Sequence, residues 1–189
     1  MKHFKTIAIA LLVAFSTAAV SAQTKKIDAS KSKIEWVGKK VTGQHTGTVN
    51  IKEGALVFKG AKLTGGTVTV DMNSIANTDL KIEQGKDKLE GHLKTDDFFG
   101  TATFPTSRLV FKTIADKGNG VYTVTADLTL KAKTNPVTFD LTVKGNTATT
   151  ALKIDRTKFD IKYGSGSFFD NLGDKTINND FDITVSLVF

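Results

Sequence analysis

The feature that most constrains this chain is a strict two-residue alternation. Between positions 122 and 131, Tyr122, Val124, Ala126, Leu128 and Leu130 fall on one side and Thr123, Thr125, Asp127, Thr129 and Lys131 on the other. Successive side chains of a strand point to opposite faces, so this period predicts a strand with one buried and one wet face. Val137, Phe139, Leu141 and Val143 repeat it against Thr138, Asp140, Thr142 and Lys144. Shorter runs around Ile34 and Trp36, Val49 and Ile51, Leu56 and Phe58, Val68 to Met72, Leu109 and Phe111, Leu152 and Ile154, and Ile183 to Phe189 bring the expected number of strands to about nine. Lys52-Glu53-Gly54, Lys117 to Gly120, Thr134-Asn135-Pro136 and Gly145-Asn146 are read as the turns between them. Threonine dominates the outward positions, which suits antiparallel strands whose second face meets water rather than a parallel sheet covered on both faces.

The period breaks once, from Ile82 to Phe99. Leu89 and Leu93, four apart among Lys86, Asp87, Lys88 and Glu90, predict a short amphipathic helix. Thr95 with Asp96 and Asp97 predicts the cap and acidic first turn of a second helical piece. No repeat or linker divides the rest. An antiparallel array of this size closes into a barrel or folds into a sandwich, and closure removes exposed edges. Thirteen phenylalanines against one tryptophan and two tyrosines supply large inward side chains without polar tips. Such a face either fills a core or lines a cavity for an elongated apolar ligand, and periodicity leaves both open.

Several function classes fall away. Lys2 and Lys5, the apolar run Ile7 to Phe15 and the small residues up to Val20-Ser21-Ala22 predict a secretory signal peptide over 1–22, cut before Gln23, with a single domain over 23–189. The run is shorter than the roughly 20 residues of a membrane-spanning helix, so a soluble periplasmic or secreted chain without an integral span is expected. Cleavage removes two lysines and no acid, lowering the formal net charge from +7. The remaining lysines are spread along outward positions without stacking aromatics, so nucleic acid is not an expected partner. Absence of cysteine excludes thiol chemistry, iron–sulfur clusters, thiolate-bound zinc and a lipoprotein anchor.

His45 and His92 are not at metal-ligand spacing, so no metal is expected. Gly164-Ser165-Gly166-Ser167 misses the nucleophile-elbow pattern and reads as a flexible turn. Asp170, Asp174, Asp180 and Asp182, with Asn171, Asn178 and Asn179, miss calcium-loop spacing and read as a solvated loop. A final strand ending at Phe189 also matches how outer-membrane barrels finish, but scarce Tyr and Trp and short strands argue against one.

Four stretches carry a family resemblance: GQHTGTVNI at Gly43 to Ile51; NSIANT at Asn73 to Thr78 leading to GHLKTDDFFGTATFP at Gly91 to Pro105; LTLKAKTNPVTFDL at Leu128 to Leu141; and IDRTKFDIKYGSGSFF at Ile154 to Phe169. Together they resemble the YceI-like family of exported, polyisoprenoid-binding proteins. The matches include His92, Leu93, Lys94, Thr95, Phe98, Phe99, Phe104 and Pro105 of one element and Arg156 and Phe159 of another. The chain departs from the family at Lys131-Ala132, where a histidine–glycine pair is usual, and at Gly100, where an aspartate often stands.

The resemblance implies an all-β fold, an extended antiparallel lipocalin-like β-barrel with a short inserted helical segment. Its interior would take a long isoprenoid lipid of quinone or polyprenyl type, with no cofactor and no catalytic step. Trp36, Phe58, Val68, Val70, Leu128, Leu130, Phe139 and Leu141 are then the candidate wall, and Phe98, Phe99, Phe104, Phe111 and Phe159 a gate or floor. Arg156 and His92 are candidates to meet a head group, with a structural ion pair as the competing reading of Arg156. A ligand-free envelope stress or interaction module and an enzyme acting on an apolar substrate stay as competing readings, and the sequence leaves a homodimer open.

Overall fold

The inward members of the alternating runs are buried together. Val124 and Ala126 are fully buried and Tyr122, Leu128 and Leu130 nearly so. The outward threonines bond across the ladder, Thr125 to Thr138 at 3.1 Å and Thr129 to Thr134 at 2.8 Å. This computed structural model describes residues 21–189, so all but the last two residues of the expected signal peptide lie outside the described residues.

The strands are β1 (Ala22–Lys26), β2 (Lys33–Lys40), β3 (Gly43–Lys59), β4 (Lys62–Asn77), β5 (Thr106–Gly118), β6 (Val121–Leu130), β7 (Lys133–Lys144), β8 (Thr147–Asp155) and β9 (Ile177–Val188). A helix, α1 (Lys86–Lys94), stands between β4 and β5 after a single 3-10 turn at Ile82–Gln84. Every pairing is antiparallel. From β2 onward each strand pairs with the next, and β9 returns to β2, closing an eight-strand barrel. β1 shares the slot of β2: it pairs with Lys59 to Ala55 while β2 pairs with Val49 to Gly43 on the same edge of β3.

The structure corrects several local expectations. Lys52-Glu53-Gly54 does not end a strand; β3 runs through it with a bulge, and the register against β4 slips between Ile51 and Glu53. A bulge bends and twists a long strand around a barrel without breaking it. Thr134-Asn135-Pro136 lies inside β7, and the turn is Lys131-Ala132, with φ of 50° and 57°. Both residues take the left-handed conformation that a two-residue hairpin demands and that side chains disfavour. The Lys131 ammonium, donating to the Asp96 carbonyl, ties this turn to the loop after α1.

The third correction concerns Thr95, which ends α1 rather than starting a second helical piece. Its hydroxyl donates to the His92 carbonyl at 2.7 Å, and Gly100, at φ 55°, reverses the chain by donating its N–H to Thr95 O at 2.8 Å. Lastly, Gly164 to Ser167 is pinned: Ser165 is fully buried and its hydroxyl donates to Asn179 Oδ1 at 2.7 Å. The acidic stretch is a solvated loop only in part: Asn178, Asn179, Asp180 and Asp182 stand in β9, where the ladder to β8 and β2 holds them, and Asp182 receives Lys39 at 2.6 Å and Lys153 at 2.8 Å.

An up-and-down barrel sorts its connections by end. The β2–β3 turn, the helical insert at 78–105, the β6–β7 turn and the loop at 156–176 gather at one end. The tight turns at Gly60-Ala61, Asn119-Gly120 and Gly145-Asn146 gather with Phe189 at the other. There the Phe58 and Phe189 rings pack at 5.5 Å, and Lys25 lies 5.2 Å and 5.1 Å from their centroids.

The insert is anchored at Asp79, which accepts hydrogen bonds from the Thr46 N–H at 2.8 Å and the Asn77 amide at 2.6 Å and lies 2.9 Å from His45 Nδ1. Burial is the largest single influence and raises the Asp79 pKa, but the bonds from His45, Thr46 and Asn77 together outweigh it and hold the carboxyl below its ordinary value. A carboxyl depressed on folding contributes stability above its unfolded pKa of about 3.9 and loses it as pH falls through the folded value. Asp79→Asn is therefore expected to cost about 1 kcal/mol at pH 7, through weakened charged hydrogen bonds. In thermal melts the gap from the parent should close as the buffer is acidified towards the folded pKa; a gap independent of pH would show that the charge contributes nothing.

Candidate functional site

The barrel is hollow towards one end, and at the other, its solid end, packed side chains leave only a separate, mostly polar recess of about 280 Å³ between Lys25, Phe58, Tyr122 and the tight turns. Leu56, Val124, Ala126 and Ala148 are fully buried and stand off the cavity lining. Further along β6, Leu128 and Leu130 face a cavity of about 210 Å³ lined almost entirely by hydrocarbon. Its lining on β9 extends from Ile177 to Leu187. At roughly 3.3 Å per residue and a strand tilt of about 40°, that span is about 25 Å along the barrel axis. The volume lies below the roughly 300 Å³ at which small-molecule sites usually begin. Such a volume over such a length is a slot for a chain, too narrow for a globular ligand.

Eleven of the residues singled out from the sequence meet at this cavity: Trp36, Val68, Val70, Phe98, Phe99, Phe111, Leu128, Leu130, Phe139, Leu141 and Arg156. Phe98 and Phe99 arrive from the turn after α1, and Phe99 meets Phe181 of β9 edge to face at 6.5 Å. Two glycines make room for the aromatic wall. A Cβ on Gly47, which pairs with Trp36 across the ladder, would lie 2.3 Å from the Trp36 ring and 2.0 Å from the Ala76 carbonyl. One on Gly66 would lie 2.7 Å from the Phe111 ring.

Four candidates do not face the cavity. Phe58 packs at the solid end against Phe189. Phe104 is half-buried beside Gly100, and Phe159 is fully packed in a 3-10 turn at Arg156–Phe159. His92 sits outside the wall, edge-on to Phe98 at 4.9 Å and to Tyr163 at 4.5 Å, with Nε2 3.9 Å from Asp97. It braces the phenylalanine that does face inward. Among wall residues not singled out, Ile34, Val49 and Leu187 obey the period, whereas Phe181 hides between Asp180 and Asp182 in what reads as a polar loop.

Arg156 is only 4% exposed, yet no carboxylate pairs with it among the described residues. In place of the ion pair, three backbone carbonyls accept its hydrogens: Nε to Asn178 at 3.0 Å, Nη1 to Ile161 at 2.8 Å and Nη2 to Ile177 at 3.0 Å. Burial lowers its pKa from the ordinary arginine value and the nearby Asp155 charge opposes that. A guanidinium remains protonated in such surroundings and carries five N–H groups, so two are left beyond these three bonds. The result is a clasp joining the end of β8 to the start of β9, with its positive charge at the open half of an apolar slot.

The wall is not uniformly laced. β7 and β8 pair only at Thr142–Thr149, Val143–Ala148 and Lys144–Thr147, after which side chains alone cross the seam, first the Thr150 hydroxyl donating to the Asp140 carbonyl at 2.7 Å. Phe139 and Leu141 on one lip and Thr150, Leu152 and Ile154 on the other line the cavity. Pro136, which has no N–H, keeps its place in β7 because this edge has no ladder to complete. At the top the seam is bridged by Asn135 Nδ2 donating to Lys158 O at 2.9 Å.

Among the described residues no His, Asp and Glu side chains gather where they could hold a metal, and no helix is long and apolar enough to cross a membrane. The YceI-like domain profile matches residues 26–189. A UPF0312 protein of Shewanella denitrificans is 39% identical over 92 residues, 49% of this chain and 46% of that one. One from Shewanella baltica is 29% identical over 91 residues, 48% of this chain and 45% of that one. The chain thus spans about half the length of the curated relatives it matches. Among solved structures, Burkholderia cenocepacia BcnA superposes with a TM-score of 0.65 at 26% identity, covering 86% of this chain and 99% of that one. A polyisoprenoid binding domain from Saccharophagus degradans, implicated in plant cell wall breakdown, gives 0.59 at 16% identity, covering 89% and 97%. The second likeness is one of fold.

Proposed function

The chain belongs to the YceI-like domain family, and from that premise we propose that it is an exported, non-enzymatic carrier whose barrel holds the tail of one long-chain isoprenoid lipid. The observation that carries this reading is the slot itself: hydrocarbon-lined along most of its wall, with the buried Arg156 and the polar residues Lys39, Asn178 and Asp180 lining it where the helical insert and the loop at 156–176 meet the barrel. The polyisoprenoid binding domain of Saccharophagus degradans, similar in fold, supports it.

Energetics favour a long tail. Removing about ten carbons from water at roughly 0.8 kcal/mol each yields about 8 kcal/mol, much of which association and chain ordering offset. Useful affinity then requires a longer buried chain, which the depth of the slot suits. Trp36, Phe111, Leu128 and Phe139 would contact the tail, and Phe98 and Phe99 the segment nearest the mouth. The two remaining N–H groups of Arg156 would meet an oxygen-rich head, a phosphate or a quinone carbonyl, whose negative charge or dipole the apolar wall does not supply. Residues 1–22 would be removed on export to the periplasm or beyond. β1 begins at Ala22, paired with Lys59 at the solid end, so cleavage there leaves the mouth clear.

Native purification of the exported protein, solvent extraction and mass spectrometry test the proposal. A long-chain isoprenoid near one equivalent per chain is expected. Protein that is empty after gentle isolation and takes up neither a long-chain quinone nor a polyprenyl phosphate saturably would overturn it.

A further inference from the structure

The large hydrophobic side chains that stand exposed among the described residues all lie on connections at the open end: Val41 at 63%, Ile82 at 71%, Tyr163 at 44%, Phe168 at 49% and Phe169 at 50%. Single exposed apolar residues are ordinary on a protein surface, but a gathering at one end, around the mouth of a cavity, marks an interaction surface. The loop that presents the three aromatics is built to hold them outward. Phe168 and Phe169 both donate their N–H groups to Ser165 O, at 3.1 Å and 3.0 Å, and Ser165 is buried. Asn179 fastens the same turn, accepting from the Ser165 hydroxyl at 2.7 Å and donating to the Ser167 hydroxyl at 2.8 Å.

One ammonium group stands beside these rings, and two more belong to the same end of the barrel. Lys162 lies 5.1 Å from the Phe168 centroid, and its partner Asp160 at 2.8 Å also feels Lys131 and Lys133. Lys133 and Lys158 make no salt bridge among the described residues. Exposed aromatic rings with lysines at the same end suit the boundary between lipid headgroups and acyl chains, where the lysines meet lipid phosphates. Asp170 and Asp174 on the same loop, and Glu83, Asp87, Asp96 and Asp97 on the insert at the same end, limit the electrostatic share, so the rings carry most of the binding.

We propose that the open end of the barrel docks on the surface of an anionic phospholipid bilayer, with Phe168 and Phe169 inserted at the headgroup boundary and the cavity mouth held against the membrane. The use of this docking, transfer of a tail between bilayer and slot, rests on the carrier reading above; the docking itself does not.

Co-sedimentation with large vesicles, one set of phosphatidylcholine and one an equal mixture with phosphatidylglycerol, both free of isoprenoid, tests it. Saturable binding to the mixed vesicles is expected, weakened in high salt. A Phe168→Ser/Phe169→Ser variant should bind about tenfold or more weakly, since two rings no longer leave water, with its melting temperature unchanged. Lys133→Ser/Lys158→Ser should weaken binding to the mixed vesicles alone, and Lys59→Ser/Lys144→Ser, equal in charge but at the solid end, should leave it intact. Protein that ignores both vesicle types, or a double phenylalanine variant that binds like the parent, overturns the proposal and leaves a protein partner as the occupant of the patch. Vesicle binding by a protein that takes up no isoprenoid would sink the carrier reading and keep the docking; isoprenoid uptake from detergent without vesicle binding would do the reverse.

Discussion

Arg156→Ala is expected to lower the unfolding free energy by about 3 to 5 kcal/mol, because three backbone carbonyls lose a charged donor at once and each such bond is worth roughly 1.5 to 3 kcal/mol, with water partly replacing them. In a chain of this size that corresponds to a fall of roughly 6 to 20 °C in melting temperature. Arg156→Lys keeps the charge but not the planar fork, so one ammonium cannot reach Asn178, Ile161 and Ile177 together. It should recover only a minor part of the loss. Urea denaturation of the three proteins decides the matter, and a change below about 1 kcal/mol for Arg156→Ala would show that the clasp is dispensable.

A pair of tryptophan substitutions on one strand should separate hollow from solid barrel. Val124 and Leu128 occupy the same face of β6, four residues apart, but Val124 is fully buried and off the slot's lining whereas Leu128 faces the slot. Val124→Trp forces extra atoms into close packing and is expected to cost about 3 kcal/mol or more. Leu128→Trp has free volume before it, should cost about 1 kcal/mol or less, and should abolish isoprenoid uptake by filling the channel. Equal destabilisation by the two would mean that the barrel is packed throughout and that no chain enters it.

That contrast also marks the limit of what the sequence discloses. The period of β6 and β7 is written plainly, because one wet and one dry face leave no other order of residues. The bulge in β3 was not legible, since Lys52-Glu53-Gly54 has the composition of a turn and only the partner strand decides that it continues. Nor was β1, whose Gln23, Thr24, Lys25 and Lys26 carry no apolar alternation and are held by the edge of β3. The wall residues were largely visible because inward strand positions are visible. Which of them face free volume was not, because Val124 and Leu128 look alike until the aromatic side chains on other strands are placed. Arg156 could be located from its neighbours, but its partners are carbonyls, and carbonyls leave no trace in residue type.

The sparsely paired seam between β7 and β8 has a mechanical consequence. A barrel laced by a complete ladder has a circumference fixed by its strand number and stagger, and widening it anywhere breaks a row of backbone bonds. Here the bonds that would resist are already missing between Pro136 and the upper half of β8, so girth changes there at the expense of side-chain contacts alone. Leu152 and Phe139 on the opposed lips can part by small amounts while every other strand keeps its register. The slot thus has a compliant side between β7 and β8, and on the carrier reading that is where a bulky methyl-branched tail would be accommodated.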